Sequence, residues 1–263
     1  MDVTESGPLR VSIEEGVATV TLHRPEARNA LSRELLLGLQ SAMADLGGRA
    51  DVGAIVLTGA DPAFCAGLDL KELSADARLL DTADPEIPPN SPWKPTRQPL
   101  IGAINGVAIT GGLELALNCD FLIASERAVF ADTHARVGIL PGWGLSVLLP
   151  QRVGFAMARR MSFTGDFVDA RRALEAGLVT EVVAHEDLLA TARRLAATIA
   201  ANHRPAVMAL RESYRRIEAD VTGSGLDLEL QAAREWRRSG QSAGIADRVP
   251  GVIARGRGQT GAE

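Results

Sequence analysis

Two stretches decide how this chain reads: Ile55–Leu70, "IVLTGADPAFCAGLDL", and Leu100–Leu115, "LIGAINGVAITGGLEL". Each runs from an apolar strand through a glycine-containing loop into Gly-Leu-acid-Leu. In the first this is Gly67-Leu68-Asp69-Leu70, and in the second Gly112-Leu113-Glu114-Leu115. Continuous apolar runs bounded by glycine fit strands buried in a covered sheet. Glycine lets backbone N–H groups approach a ligand closely, and a helix that starts next leaves its first N–H groups unpaired. Such groups favour negative charge. One loop alone reads better as a tight turn that serves packing. Two facing loops can each give one N–H to a single oxygen, which is an oxyanion hole.

Working outward, "LRVSIEEGVATVTLHRP" predicts two strands around a Glu-Glu-Gly turn, closed by Pro25. "NALSRELLLGLQSAMADL" predicts a helix with Ser32 as its N-cap, and "FLIAS" another short strand. Strands that alternate with helices make an α/β domain. Residues 74–99, rich in Pro, Asp and Ser, read as a long surface loop or lid. After about residue 185 the strands stop, and amphipathic, charged helical patterns follow, whose arginines read as solvated helix faces. The expected organisation is a core over residues 1–195, carrying the site, and a C-terminal helical region over 196–263.

Composition excludes several classes of function. Hydrophobic content of 46% and charged content of 23% are ordinary for a globular protein, and a net charge of −5 with 4% aromatics argues against a nucleic-acid surface. No run reaches the ~18 apolar residues of a membrane span, and "MDVTESGPLR" lacks the pattern of a signal peptide. Two cysteines, Cys65 and Cys119, are too few for a disulfide framework or a zinc site, so the expected setting is reduced and cytoplasmic, with no metal. No G-x-x-x-x-G-K-[ST] occurs, which removes a P-loop. "GVAITGG" does not supply G-x-G-x-x-G and the first strand–helix unit has no such turn, which argues against a dinucleotide fold. "GLSVL" around Ser146 reads as part of a helix rather than a nucleophile elbow.

Five pieces in order carry a family resemblance: "RPEARNALS", "FCAGLDLKEL", "PLIGAINGVAITGGLELALNCD", "VGILPGWG" and "FTGDFVDARRALEAGLVTEVV". Over roughly residues 10–200 the chain resembles the enoyl-CoA hydratase/isomerase (crotonase) family. The resemblance implies an α/β fold, a spiral of ββα units with a C-terminal helical trimerisation region. It implies a homotrimer or a dimer of trimers. The implied ligand is an acyl-CoA thioester, with no cofactor beyond the coenzyme A of the substrate itself. It places the two oxyanion N–H groups on Leu68 and Gly111, and coenzyme A along Arg28, Ala30, Ala66 and Asp69.

The implied reaction is hydration of a 2-enoyl-CoA, with isomerisation of an enoyl-CoA or non-catalytic acyl-CoA binding as alternatives. Hydration needs a carboxylate to deprotonate water and an acid to protonate Cα. The family's first glutamate matches Glu114, an acid among the apolar neighbours Leu113, Leu115, Ala116 and Leu117. A structural ion pair is the plainer reading of that residue. Where the second glutamate belongs, the sequence has His134. Histidine serves as acid or base near neutral pH, and a carboxylate within reach favours its protonated form. The plainer reading makes His134 a neutral hydrogen-bonding residue in a site that has lost half its chemistry. The tail "SAGIADRVPGVIARGRGQTGAE" departs from the family's commoner ending, and leaves Arg255 and Arg257 as candidates for a phosphate.

Overall fold

A computed structural model describes residues 2–75, 89–241 and 244–260. Of the 74–99 stretch read from the sequence as a loop or lid, residues 76–88 lie outside the described residues. The first three strands, β1 (Asp2–Ser6), β2 (Leu9–Glu14) and β3 (Val17–Leu22), form an antiparallel meander. The sequence reading anticipated the last two and not β1. Helix α1 (Arg33–Gly48) follows, and the Ser32 hydroxyl accepts from Leu35 N at 3.2 Å, as an N-cap does.

Three ββα turns come next. The first is β4 (Ala54–Gly59), β5 (Ala63–Cys65) and α2 (Leu70–Ala75). The second is β6 (Leu100–Ile104), β7 (Val107–Ile109) and α3 (Gly111–Leu117), and the third β8 (Phe121–Ser125), β9 (Val129–Ala131) and α4 (His134–Val137). The long strands β4, β6 and β8 pair in parallel in one sheet, and the short strands β5, β7 and β9 pair in parallel in another. The two glycine stretches of like design are therefore successive turns of one spiral. That is why they meet in space.

The chain then runs through α5 (Leu145–Thr164), β10 (Val168–Asp169), α6 (Ala170–Glu175) and β11 (Glu181–Val183). Four helices close it: α7 (Leu188–Ala201), α8 (Arg204–Thr222), α9 (Gly225–Arg238) and α10 (Ile245–Thr260). The larger sheet has the order β1-β2-β3-β4-β6-β8-β11 and the smaller β10-β9-β7-β5. Every residue of β4 is buried because its two faces serve two cores. Ile55 and Leu57 pack with Leu35, Leu39 and Phe64, whereas Ala54 and Val56 pack under Ala192 and Ala196 of α7. Burying a side chain such as Ile55, Val56 or Leu57 is worth about 1.5–3 kcal/mol, so both faces of β4 contribute to stability.

The division between residues 195 and 196 falls inside α7, a helix seated on the sheet. By contrast α8 has no buried residue. Among the described residues no helix is long and apolar enough to cross a membrane.

Candidate active site

The segment Arg28–Leu31 lies beside the first glycine loop and is stitched to it. Ala66 N donates to Arg28 O, Leu31 N to Gly67 O, and Asp69 N to Leu31 O. Successive N–H groups of an extended strand point to opposite sides. Asp69 N faces Leu31, so Leu68 N faces the other way, toward the second loop. A methyl group placed on Gly67 would lie 3.5 Å from Gly111 N, and one on Gly111 would lie 3.7 Å from Leu68 N. Gly111 opens α3, so its N–H has no carbonyl partner within the helix. The close approach depends on glycine: a methyl group at Gly112 would sit 2.1 Å from Cys65 O.

Just before α3, Thr110 adopts φ +56, a strained conformation for a β-branched residue. It is held there by the third spiral turn. Thr110 N donates to Ala131 O, and the hydroxyls of Thr110 and Thr133 lie 2.5 Å apart. Both threonines line a cavity of about 660 Å³, together with Arg28, Ala30, Ala66, Leu68 and Asp69. The cavity thus gathers all four coenzyme A positions taken from the sequence. Its far wall is α10, through Val249, Val252 and Ile253, and Arg257 reaches it as well. Arg255 instead lies 3.8 Å from Asp166. Arg24, which the sequence reading passed over, also lines the cavity and pairs with Asp69 at 3.1 Å. A second cleft of about 800 Å³, between residues 94–97 and α8, lies away from these loops.

Behind the cavity wall lies a buried polar chain. Glu114 is 4% exposed; its Oε1 accepts from Gly142 N at 3.1 Å and from Trp143 N at 2.7 Å. Its Oε2 lies 3.5 Å from His134 Nε2. On the other side of the ring, His134 Nδ1 is 2.7 Å from Asp132 Oδ1, which also accepts from the His134 backbone N–H. Burial opposes charge on His134, but the bonds and charges of Asp132 and Glu114 outweigh it, and its pKa is pushed up to about 10. Burial likewise opposes charge on Asp132, and His134 nonetheless holds that carboxyl below its usual range. The arrangement is an imidazolium clamped between two carboxylates, both of which also accept from backbone N–H groups.

A family model described as Enoyl-CoA hydratase/isomerase matches residues 12–243. The chain belongs to that family. Among solved structures it resembles an enoyl-CoA hydratase from Mycobacterium smegmatis, at 56% identity and a TM-score of 0.81, covering 89% of this chain and 100% of that one. Among curated proteins it is 39% identical to a probable peroxisomal enoyl-CoA hydratase of Arabidopsis thaliana, over 82% of this chain and 78% of the relative. It is also 36% identical to a probable enoyl-CoA hydratase of Mycobacterium bovis, over 91% and 95%. The matched range contains the proposed catalytic, oxyanion and coenzyme A residues and stops before α10, which carries Arg255 and Arg257.

Other chemistries recede. Cys65 is fully buried, and burial pushes its thiol up to about 12, which leaves it a poor nucleophile. His185 bridges Ser125 at 3.0 Å and Asp61 at 3.1 Å, a triad in composition only, since Ser125 is fully buried and away from the cavity. Sequence reasoning missed Asp132, although an Asp two residues before a helix start is a local signal for such a turn. It also missed Gly142 and Trp143, whose part is played by backbone N–H groups that no side chain announces.

Proposed function

We infer that this protein is an enoyl-CoA hydratase that adds water across the 2,3 double bond of a 2-enoyl-CoA. The observation that carries this is the buried chain Asp132–His134–Glu114, which pairs a carboxylate base with a cationic acid. The thioester oxygen receives hydrogen bonds from Leu68 N and Gly111 N and becomes the enolate oxygen. One oxyanion donor of this kind is worth about 2.7–4 kcal/mol of barrier. Glu114, oriented by Gly142 N and Trp143 N, takes a proton from water as hydroxide adds to Cβ. His134, protonated at neutral pH, gives its proton to Cα. The 3.5 Å between Nε2 and Oε2 then lets the proton on Glu114 return to the imidazole, which resets the pair.

Arg28, Ala30, Ala66 and Asp69 are read as the coenzyme A wall, with Arg28 on the phosphate side. Addition of water is redox-neutral and coenzyme A arrives with the substrate, so the reading calls for no separate cofactor. Both thiols are free and buried, in keeping with a reducing compartment such as the cytoplasm. The stripe Leu210, Tyr214, Ile217 and Val221 on α8 is more than half exposed at every position, which supports a homotrimer or a dimer of trimers.

The test is loss of conjugated absorbance with crotonyl-CoA and with a longer 2-enoyl-CoA. Glu114→Gln and His134→Ala should each lower kcat at least about tenfold. A His134→Ala enzyme with an unchanged rate would remove that residue from the mechanism. Gain of conjugated absorbance from a 3-enoyl-CoA would favour isomerisation instead, and no turnover of either substrate would leave an acyl-CoA-binding protein.

A further inference from the structure

We propose that Glu229, on α9, is a positioning residue for Glu114, acting through the Gly142–Ser146 turn that both carboxylates share. The inference rests on reading Glu114 as the general base. Five residues of backbone serve two acids. Gly142 N and Trp143 N donate to Glu114, and Gly144 N and Ser146 N donate to Glu229, at 2.6 and 2.5 Å. Gly144 sits at φ +92 in the N-cap position of α5 and has no side chain with which to cap it. A carboxylate 85 residues further along the chain does this instead.

A cap alone calls for much less. Serine or aspartate next to the turn would satisfy the same N–H groups without burying a second negative charge near Glu114. Glu229 is 7% exposed, and burial together with the charge of Glu114 disfavours its ionised form. Held there, it pins Gly144 and Ser146 while Glu114 takes Gly142 and Trp143. The same C-terminal region grips the other end of the stretch. Trp236 Nε1 donates to Gly138 O at 2.9 Å and Arg248 Nε to Val137 O at 2.8 Å, which fixes the end of the helix that starts at His134. Helices α9 and α10 thus hold the segment from His134 to Ser146 at both ends.

Steady-state hydration of crotonyl-CoA by the full-length protein tests this, with melting temperatures measured alongside. Glu229→Ala should lower kcat at least about tenfold with KM within about threefold, as expected when a catalytic group is misplaced and the coenzyme A wall is intact. Glu229→Gln should fall between, because its amide oxygen still accepts one of the two N–H bonds. In a Glu114→Gln background, adding Glu229→Ala should change the residual rate by less than about twofold, since the residue it positions is gone. A wild-type kcat in Glu229→Ala, or its full loss repeated in the Glu114→Gln background, would overturn the proposal. If Glu229→Ala fails to fold, Glu229→Gln carries the same cycle. A Glu114→Gln enzyme with wild-type kcat would sink the base reading and this inference together. A collapsed Glu114→Gln beside an unaffected Glu229→Ala would sink the positioning role alone.

Discussion

His134 is the residue at which sequence and structure say different amounts. The sequence places a histidine where a second acid belongs; the structure adds Asp132, and with it a reason for the ring to stay charged. The imidazole pKa is about 10 in the folded protein, against roughly 6.5 in an unfolded chain. A group whose pKa rises on folding contributes stability that is complete below its unfolded value and is lost as pH climbs through the folded one. Melting temperature should therefore fall between about pH 6.5 and pH 10, and more steeply than in Asp132→Asn, where the anion that holds the proton is gone. The same variant should lower kcat, with the basic limb of its pH–rate profile moved to lower pH. Identical melting profiles for the two proteins across that window would remove Asp132 from this role.

At the scale of elements, the site is made where consecutive spiral turns touch, and the contact tolerates no extra atom. Gly112→Ala would drive a methyl group into Cys65 O and shift the start of α3, carrying Gly111 N away from Leu68 N. Overpacking of this kind costs about 1–3 kcal/mol of stability, and displacing a catalytic donor by about 1 Å costs on the order of 10²-fold in rate. Gly48→Ala, in open space at the end of α1, is the control that should leave the rate unchanged and not lower stability. A Gly112→Ala enzyme with normal kcat would mean that the two loops need not stay in register. These loops were legible in the sequence because apolar runs, glycines and caps are local signals. The ties from Gly142 and Trp143 to Glu114 were not, since they join segments distant in sequence. Strand β1 was not either, although its partner β2 is adjacent, because the polar "DVTES" carries no apolar alternation. Glu229 is the instructive middle case. It sits in Leu228-Glu229-Leu230, the same Leu-Glu-Leu as around Glu114, and the argument from an acid among leucines applied to both.

For the whole molecule, the feature a single chain leaves unexplained is α8. The sequence marks it as amphipathic, but only the structure shows which face stays bare: Leu210, Tyr214, Ile217 and Val221 are 61%, 67%, 58% and 73% exposed, at the i, i+4, i+7, i+11 spacing of one stripe. The arginines read from the sequence as solvated lie elsewhere on the helix, Arg215 and Arg216 both pairing with Glu212. A stripe of large apolar side chains along about three helical turns has no stabilising role in a monomer, where it only orders water. Covered by a second copy, each side chain would contribute about 1.5–3 kcal/mol. On the trimer reading proposed above, Leu210→Glu with Ile217→Glu should lower the mass seen by light scattering to that of monomers or dimers, while far-UV circular dichroism stays unchanged because neither residue belongs to the core. Activity should fall with the assembly, since α8 leads directly into α9 and a loosened α8 frees Glu229 to leave the Gly142–Ser146 turn. A double variant that keeps its mass would place the interface on another face. One that dissociates at full activity would show that α9 is held by the core alone.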